Sequence, residues 1–196
     1  RDVLGSRGLG DVYKRQAKAV ADTILKYGYD GIDFDHECSG GDLFYNKNNM
    51  TTLLKEMRKN LGPDKLIIVD GHVSYITEEG WKYANYAISQ AYATGSPSTL
   101  QSRYNGVKNY IGPERFIVTE NFESYWQNGG VNYRDPELGT IPSLLGMAHW
   151  QPNEVTEPGQ HKGGCGTYHM EYEYYHSDDE YKYIRQAIQI MNPAGK

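Results

Sequence analysis

A short acidic segment constrains this chain more than any other feature. Four carboxylates fall within eight residues, at Asp30, Asp33, Asp35 and Glu37. Because side chains alternate between the two faces of a β-strand, the last three would share one face. Carboxylates this close together repel each other, and no lysine within the segment relieves the repulsion. Such a row is typical of a site that shifts pKa values for catalysis.

Two structural explanations fit the segment less well. A calcium-binding EF-hand loop needs glycine one residue after the third acidic ligand, and Cys38 stands there instead. A solvated run of charges is also a poor explanation, because Ile32 and Phe34 within the segment have strand character. Nearby glycines and a serine mark the two ends of a short strand. We therefore interpret residues 30–37 as a strand that carries a catalytic site.

Composition excludes several classes of protein. At 196 residues the chain is long enough for one domain but short for a complete barrel enzyme. A net charge of −5 argues against a nucleic-acid or anionic-membrane partner. No apolar run approaches 18 residues, the length that would indicate a membrane-spanning helix. Two distant cysteines, Cys38 and Cys165, predict neither a disulfide framework nor a metal site.

The remaining chain alternates between strand and helix patterns. Apolar residues at helical spacing predict five helices, over residues 17–27, 50–61, a short turn from 77, 100–111 and 178–191. Short apolar runs predict five strands, over residues 30–37, 65–70, 86–92, 115–120 and 144–150. We expect a long polar loop from residue 121 to about 136 and an irregular stretch around 163–166.

This alternation favours a parallel sheet with crossover helices. An open doubly wound sheet would fit the number of strands, but the glycine fingerprint of dinucleotide binders is missing. Residues 1–16 stand apart from this pattern. They show no helical or strand period, and their end, DVYKRQ, resembles translated adapter-like sequence. We predict that residues 1–16 are extraneous or unstructured and that the native fold begins at residue 17.

The acidic segment resembles a known family signature. Residues 30–37, DGIDFDHE, match the DGxDxDxE motif of glycoside hydrolase family 18, and the likeness continues from about residue 17 to the end of the chain. The resemblance implies a (β/α)8 TIM barrel, of which residues 17–196 would form the C-terminal part. Strands four to eight would be present with their helices, and the first three strands would be missing. The fourth strand would carry the acids at its carboxyl end, where barrel enzymes place their chemistry.

The resemblance also implies roles for the acids. In this family the 2-acetamido oxygen of the substrate attacks the anomeric carbon, in place of a protein nucleophile. Glu37 would be the general acid and then the base, Asp35 would orient the acetamide, and Asp33 would share a proton with Asp35. Asp30 and Gly31 would be structural. His36 departs from the family pattern, which usually has Trp or Tyr before the glutamate.

Two more segments match the family. Tyr92 takes the place of a tyrosine that bonds the acetamide and counts as a fourth catalytic residue. Gln90 and Trp150 would bind substrate, Trp150 as the floor of the −1 sugar at the end of the last strand. Gln90, with Ala93 after Tyr92, is similar to endo-β-N-acetylglucosaminidases that act on N-glycans, whereas chitinases of the family typically show Met-x-Tyr-Asp.

The resemblance predicts an enzyme with a glycan or glycoprotein substrate and no cofactor or metal. Residues 164–171 look like the C-terminal region of Bacteroidetes endoglycosidases, which implies an extracellular, cell-surface or periplasmic location. A chitinase and a non-catalytic glycan-binding protein on the same scaffold remain alternatives. We also expect this partial barrel to be inactive alone, because half a barrel cannot close its sheet.

Overall fold

The computed structural model describes residues 3–40 and 46–193, with side chains from residue 11 onward. The chain divides into two compact units, residues 1–87 and 88–196. Each unit alternates helices with strands, so the predicted α/β class is visible in both.

In the residues that the structure describes, the first unit holds two long helices and two complete strands. Its elements are α1 (Val3–Tyr27), β1 (Gly31–His36), α2 (Lys47–Leu61), β2 (Leu66–Gly71), a 3₁₀ turn (Val73–Tyr75), α3 (Glu78–Trp81) and the start of β3 (Tyr86–Gln90). Glycines at positive φ, Gly28 at 72° and Gly62 at 76°, follow the two long helices. Because only glycine adopts this conformation at no steric cost, both helices end where the sequence predicts.

The core of the first unit lies between the apolar faces of α1 and α2. The predicted apolar stripe of α2 is buried in full, at Met50, Leu53, Leu54, Met57 and Leu61. From α1, Ala17, Ala21 and Ile24 are also buried. Burying a large aliphatic side chain stabilises a fold by about 1.5–3 kcal/mol, so this interface anchors the strands beside it.

The expectation for residues 1–16 is wrong in part. Helix α1 begins at Val3, and Tyr13 within the segment is only 2% exposed. The sequence shows no apolar period here because few of its positions are apolar, yet the segment extends a helix that Ala17 and Ile24 anchor. That residues 1–16 are extraneous stays a prediction.

The second unit contains the rest of the chain. Its elements are the end of β3, α4 (Pro97–Asn105), a 3₁₀ turn (Pro113–Arg115), β4 (Phe116–Asn121), α5 (Phe122–Tyr125), a 3₁₀ turn (Trp126–Asn128), β5 (Asn132–Asp135), β6 (Gly139–Pro142), α6 (Ser143–His149), β7 (Gly164–Tyr168), α7 (Glu171–His176) and α8 (Lys182–Met191). Part of its core lies where α6 and α8 meet, around Phe122, Leu144, Ala148 and Ala187.

Five strands form one sheet in the order β1-β2-β3-β4-β7, and β5 and β6 form a separate antiparallel hairpin. The pairs β1–β2 and β4–β7 are parallel, which agrees with the predicted crossover topology. Within the described residues the sheet does not close into a barrel. No helix in the described part of the chain is long and apolar enough to cross a membrane.

Several predicted elements of the second unit are wrong. Residues 144–150, predicted as the last strand, lie mainly in helix α6, and the last strand of the sheet is β7, within the stretch predicted as irregular. The predicted loop over 121–136 contains α5 and strand β5. The residue that precedes the final helix is Tyr181, in a left-handed conformation, and not Asp178.

Candidate active site

The acidic row of β1 has the one-sided arrangement that the sequence predicts. Asp33 and Asp35 are exposed, and Glu37, one residue past the end of the strand, is exposed as well. Between them Phe34 is partly buried and His36 is only 1% exposed. The carboxylates therefore share the open face of the strand, and the opposite face packs into the first unit.

His36 is a packed residue on the face away from the acids. Its ring meets the ring of His72 edge-on, with centroids 6.2 Å apart, and its Nδ1 lies 3.4 Å from the His72 carbonyl oxygen. His36 therefore lies on the buried face of β1, away from the carboxylates, and packs against a second histidine.

A fourth carboxylate, Asp70, joins the row from the neighbouring strand. In the parallel register of β1 and β2, Asp70 stands beside Asp35. Burial, and then the charges of Asp33, Asp35 and Glu37, raise the pKa of Asp70 to about 7, although a hydrogen bond from the Gly71 N–H opposes the shift. Asp70 can therefore hold a proton near neutral pH.

Asp33 is shifted in the same direction. Partial desolvation, and second the negative charge of Asp35, raise the pKa of Asp33 above its usual value. Asp33 nevertheless remains an exposed side chain. The direction of this shift favours the protonated form of Asp33, and a proton shared between Asp33 and Asp35 stays a prediction.

Two glycines allow β2 to approach β1 closely. A Cβ at Gly31 would lie 2.1 Å from the Leu66 carbonyl oxygen. A Cβ at Gly71, where φ is +86°, would lie 2.8 Å from the His36 carbonyl oxygen and 3.5 Å from an Asp35 carboxylate oxygen. Because both ends of the strand pair exclude a side chain, the glycines fix the position of the acidic row.

The predicted tyrosine and glutamine lie in the second unit. Gln90 is the last residue of β3, and Tyr92 follows two residues later. The Tyr92 ring lies 6.2 Å from the ring of Tyr168, at an angle of 34°. Tyr168 ends β7 and is 46% exposed, so two rings from the ends of different strands stand together.

Trp150 does not lie at the end of a strand. It directly follows helix α6 and is only 6% exposed. Trp150 borders a cavity of about 600 Å³, which is also lined by Pro97, Gln101, Glu137 and Asn153. Among the residues that the structure describes, neither Tyr92 nor Tyr168 lines this cavity. Residues 144–150 therefore do not form the strand on which the prediction for Trp150 rested, and the ring at the end of the last strand is Tyr168. That Trp150 binds substrate stays a prediction.

The structure thus forms two groups of candidate residues. The first unit brings together Asp33, Asp35 and Glu37 with Asp70, and the second brings together Tyr92 and Tyr168. Asp70 follows an apolar run and precedes a glycine, which is a strand-end position for a carboxylate, so the sequence could have revealed it. Tyr168 was missed because its strand was not predicted. Within the described residues, no three His, Cys, Asp or Glu side chains form a group that could hold a metal ion.

Most of this chain is similar to proteins of one known family. A family profile described as glycoside hydrolase family 18, BT1044-like, matches residues 7–190. The chain is 26% identical to the endo-beta-N-acetylglucosaminidase EndoS of Streptococcus pyogenes serotype M1, over a 196-residue alignment that covers 79% of this chain and 19% of EndoS.

Solved structures agree with this relationship. A selenomethionine form of BT1044, with a glutamate replaced by glutamine, matches with a TM-score of 0.80 and 29% identity, and covers 96% of this chain and 61% of that one. Apo endo-beta-N-acetylglucosaminidase from Cordyceps militaris matches with a TM-score of 0.69 and 26% identity, and covers 94% of this chain and 64% of that one. These matches confirm the predicted fold class. The chain spans about a fifth of EndoS and less than two thirds of either solved chain.

Proposed function

Because this chain belongs to glycoside hydrolase family 18, we propose that the protein hydrolyses the β-1,4 bond in the N,N'-diacetylchitobiose core of N-glycans. The observation that carries the proposal is the row of Asp33, Asp35 and Glu37 on one open face at the end of β1. Two proteins that are similar to this chain, one in sequence and one in structure, are named endo-beta-N-acetylglucosaminidases, which supports this activity over others of the family.

Glu37 acts in this proposal as general acid and then as general base. Cleavage of a glycosidic bond needs a proton on the leaving oxygen, and a positioned carboxylic acid supplies it. Glu37 lies just beyond the strand end, on the same exposed side as Asp35. Because Glu37 is exposed at the end of the row, it can contact the glycosidic bond of a substrate that binds from solvent.

Asp35 and Asp33 support attack by the substrate itself. The acetamide oxygen attacks the anomeric carbon and forms an oxazolinium ion, while Asp35 orients the acetamide N–H. The raised pKa of Asp33 favours a shared proton between Asp33 and Asp35. Asp70, with its pKa of about 7, can hold a proton near neutral pH and so limits the repulsion among the four carboxyl groups.

Tyr92 bonds the acetamide carbonyl in this scheme, and Gln90 contacts the sugar. Tyr168 takes the role first predicted for Trp150, because its exposed ring stands 6.2 Å from the Tyr92 ring. An exposed aromatic face suits the apolar face of a sugar ring, with its polar edge still in water. We also propose an extracellular, cell-surface or periplasmic location, as the resemblance of residues 164–171 implies.

The substrate is tested with a high-mannose glycoprotein. We expect the full-length protein to leave a single N-acetylglucosamine on each asparagine, which mass spectrometry of the protein product resolves. Chitin oligomers cut faster than the glycoprotein would favour a chitinase. Glycan binding with no cleavage of either substrate would favour a non-catalytic binding protein.

The substrate-assisted step is tested with Asp35→Asn. We expect this variant to lose hydrolysis of the glycoprotein by about 10²-fold or more, the scale on which removal of a positioned group lowers turnover. It should still react with a preformed sugar oxazoline, since that substrate has already passed the step that Asp35 assists. A covalent glycosyl-enzyme trapped on any carboxylate of the chain would contradict the mechanism.

A further inference from the structure

Glu120, near the end of β4, is a fully buried carboxylate that the proposed mechanism does not use. Its side chain has 0% exposure, although a carboxylate loses a large hydration free energy when it leaves water. Such a group persists in a fold only when hydrogen bonds replace the lost water. Its partners therefore show what it holds in place.

One oxygen of Glu120 binds two backbone amides. Oε1 accepts hydrogen bonds from the N–H groups of Ala93 and Asn121, both at 2.8 Å. The other oxygen, Oε2, accepts a short hydrogen bond from the Ser143 hydroxyl, whose oxygen in turn accepts the Val131 N–H at 2.9 Å. Glu120 thus joins the segment after β3 to the start of α6, since Ala93 lies 27 positions before it and Ser143 lies 23 positions after it.

The bond to Ala93 holds an unfavourable backbone conformation. Ala93 has φ of +54°, a left-handed conformation that residues with a Cβ rarely adopt. Its N–H is fixed by Glu120, and the chain turns back at once, because the Thr94 N–H donates to the Ala91 carbonyl oxygen at 3.2 Å. The conformation of this turn sets the direction in which Tyr92, between Ala91 and Ala93, leaves the strand.

Only the hydrogen bonds of Oε1 reach this turn. The hydrogen bonds of Oε2 run through Ser143 to Val131. The neighbouring Gly130 has no room for a side chain, because a Cβ there would lie 1.9 Å from the Ser143 Oγ. The hydrogen bonds through Ser143 therefore serve the packing of α6 and the hairpin. The chain therefore contains a natural control, since Ser143 can be removed without touching the bond to Ala93.

We propose that Glu120 is a positioning residue for Tyr92, which it holds in place through the hydrogen bond to the Ala93 N–H. The inference rests on the proposed function of Tyr92 as the group that bonds the substrate acetamide. Glu120 itself does not touch substrate, because it is fully buried.

The test compares Glu120→Met with Ser143→Ala in the full-length protein. Methionine keeps the length of the side chain but has no oxygen that could accept the Ala93 N–H, so we expect Glu120→Met to lower kcat by about 10- to 100-fold, the scale on which a displaced active-site group slows a reaction. Ser143→Ala should lower the melting temperature but keep kcat within about twofold, a small change on that scale. Equal effects of the two variants on kcat would overturn the proposal, since Glu120 would then act only on stability.

Two further variants separate positioning from general destabilisation. If Glu120 acts through Tyr92, adding Tyr92→Phe to Glu120→Met should reduce kcat no further than the worse single change. Ala93→Gly should restore part of the activity of Glu120→Met, because glycine adopts positive φ without a Cβ clash. Fully additive losses, or no recovery with glycine, would contradict the proposed route.

A structural measurement keeps the inference independent of activity. We expect a crystal structure of Glu120→Met, which has no oxygen to accept the Ala93 N–H, to show a changed φ at Ala93 and a Tyr92 ring displaced from Tyr168. An unchanged turn and ring pair would overturn the positioning role, whatever the activity. If the wild-type protein cleaves no glycan, the proposed function fails, and this structure still decides whether Glu120 positions Tyr92.

Discussion

Asp70 couples the stability of the first unit to pH. Its pKa in the folded protein is about 7, while an aspartate in an unfolded chain titrates near 3.9. Between these values the folded state binds a proton that the unfolded state has released. Stability should therefore fall as pH rises from about 4 to about 7, and the raised pKa of Asp33 acts in the same direction.

Replacement of Asp70 by asparagine tests this coupling. The amide is neutral at every pH, so Asp70→Asn should reduce the loss of melting temperature between pH 5 and pH 8. Asp64→Asn, at an exposed loop position, provides the control and should keep the wild-type slope. An Asp70→Asn variant with the full wild-type slope would show that other groups cause the pH dependence.

At the scale of single residues, the sequence predicts the acidic row well, because the arrangement of the row depends only on residues that are neighbours in the chain. The alternation of Asp33, Asp35 and Glu37 depends only on strand geometry, which residues 30–37 determine themselves. The role of Glu120 could not be predicted, because it arises from hydrogen bonds to Ala93 and Ser143 that only the fold brings together.

Helix α6 shows why one element was mistaken for a strand. Five of its seven residues are buried: Ser143, Leu144, Gly146, Met147 and Ala148. A helix buried on most sides has no polar face and therefore no helical period, so a short apolar run cannot be distinguished from a strand. At β7 a strand was mistaken for an irregular segment. The glycines at 164 and 166 have low strand propensity, so the segment becomes a strand only because it pairs with β4.

Gly146 provides a test at the scale of this element. A Cβ at Gly146 would lie 2.2 Å from the ring of Tyr133, which is fully buried in the hairpin. Gly146→Ala should therefore destabilise the protein by about 1–3 kcal/mol through overpacking, in spite of the better helix propensity of alanine. Urea unfolding measures the change.

Gly166→Ala is the matched control for this variant. A Cβ there would meet only a methyl group of Thr119, at the ordinary contact distance of 3.9 Å. We expect Gly166→Ala to be neutral or slightly stabilising, because glycine weakens a strand interior. If both variants had the same stability, the packing of α6 against Tyr133 would not be tight.

At the scale of the whole molecule, the sheet has an open edge. In the described residues β1 lies at one end of the strand order and pairs only with β2. An unpaired strand edge can pair with another chain and so promotes aggregation. The free energy of unfolding of a domain is only about 5–15 kcal/mol, which is too small to offset the loss of several layers of core side chains. We predict that residues 17–196, expressed alone, will be aggregated or molten and will not hydrolyse a glycoprotein.

Calorimetry and size-exclusion chromatography check this prediction. A protein extended at its N-terminus to the length of the solved relatives serves as the control and should unfold cooperatively. A soluble monomer of residues 17–196 with a cooperative transition and activity on a glycoprotein would show that this part of the barrel suffices.

The most direct test of the whole account is the turnover of Glu37→Gln on a high-mannose glycoprotein. The full-length variant should fold like the wild type, since Glu37 is exposed and lies beyond the strand, as a circular dichroism spectrum can verify. We predict that it releases glycan at least about 10²-fold more slowly, because its amide cannot supply the proton that the leaving oxygen requires. Release of glycan at nearly the wild-type rate would contradict the assignment of Glu37 as the catalytic acid.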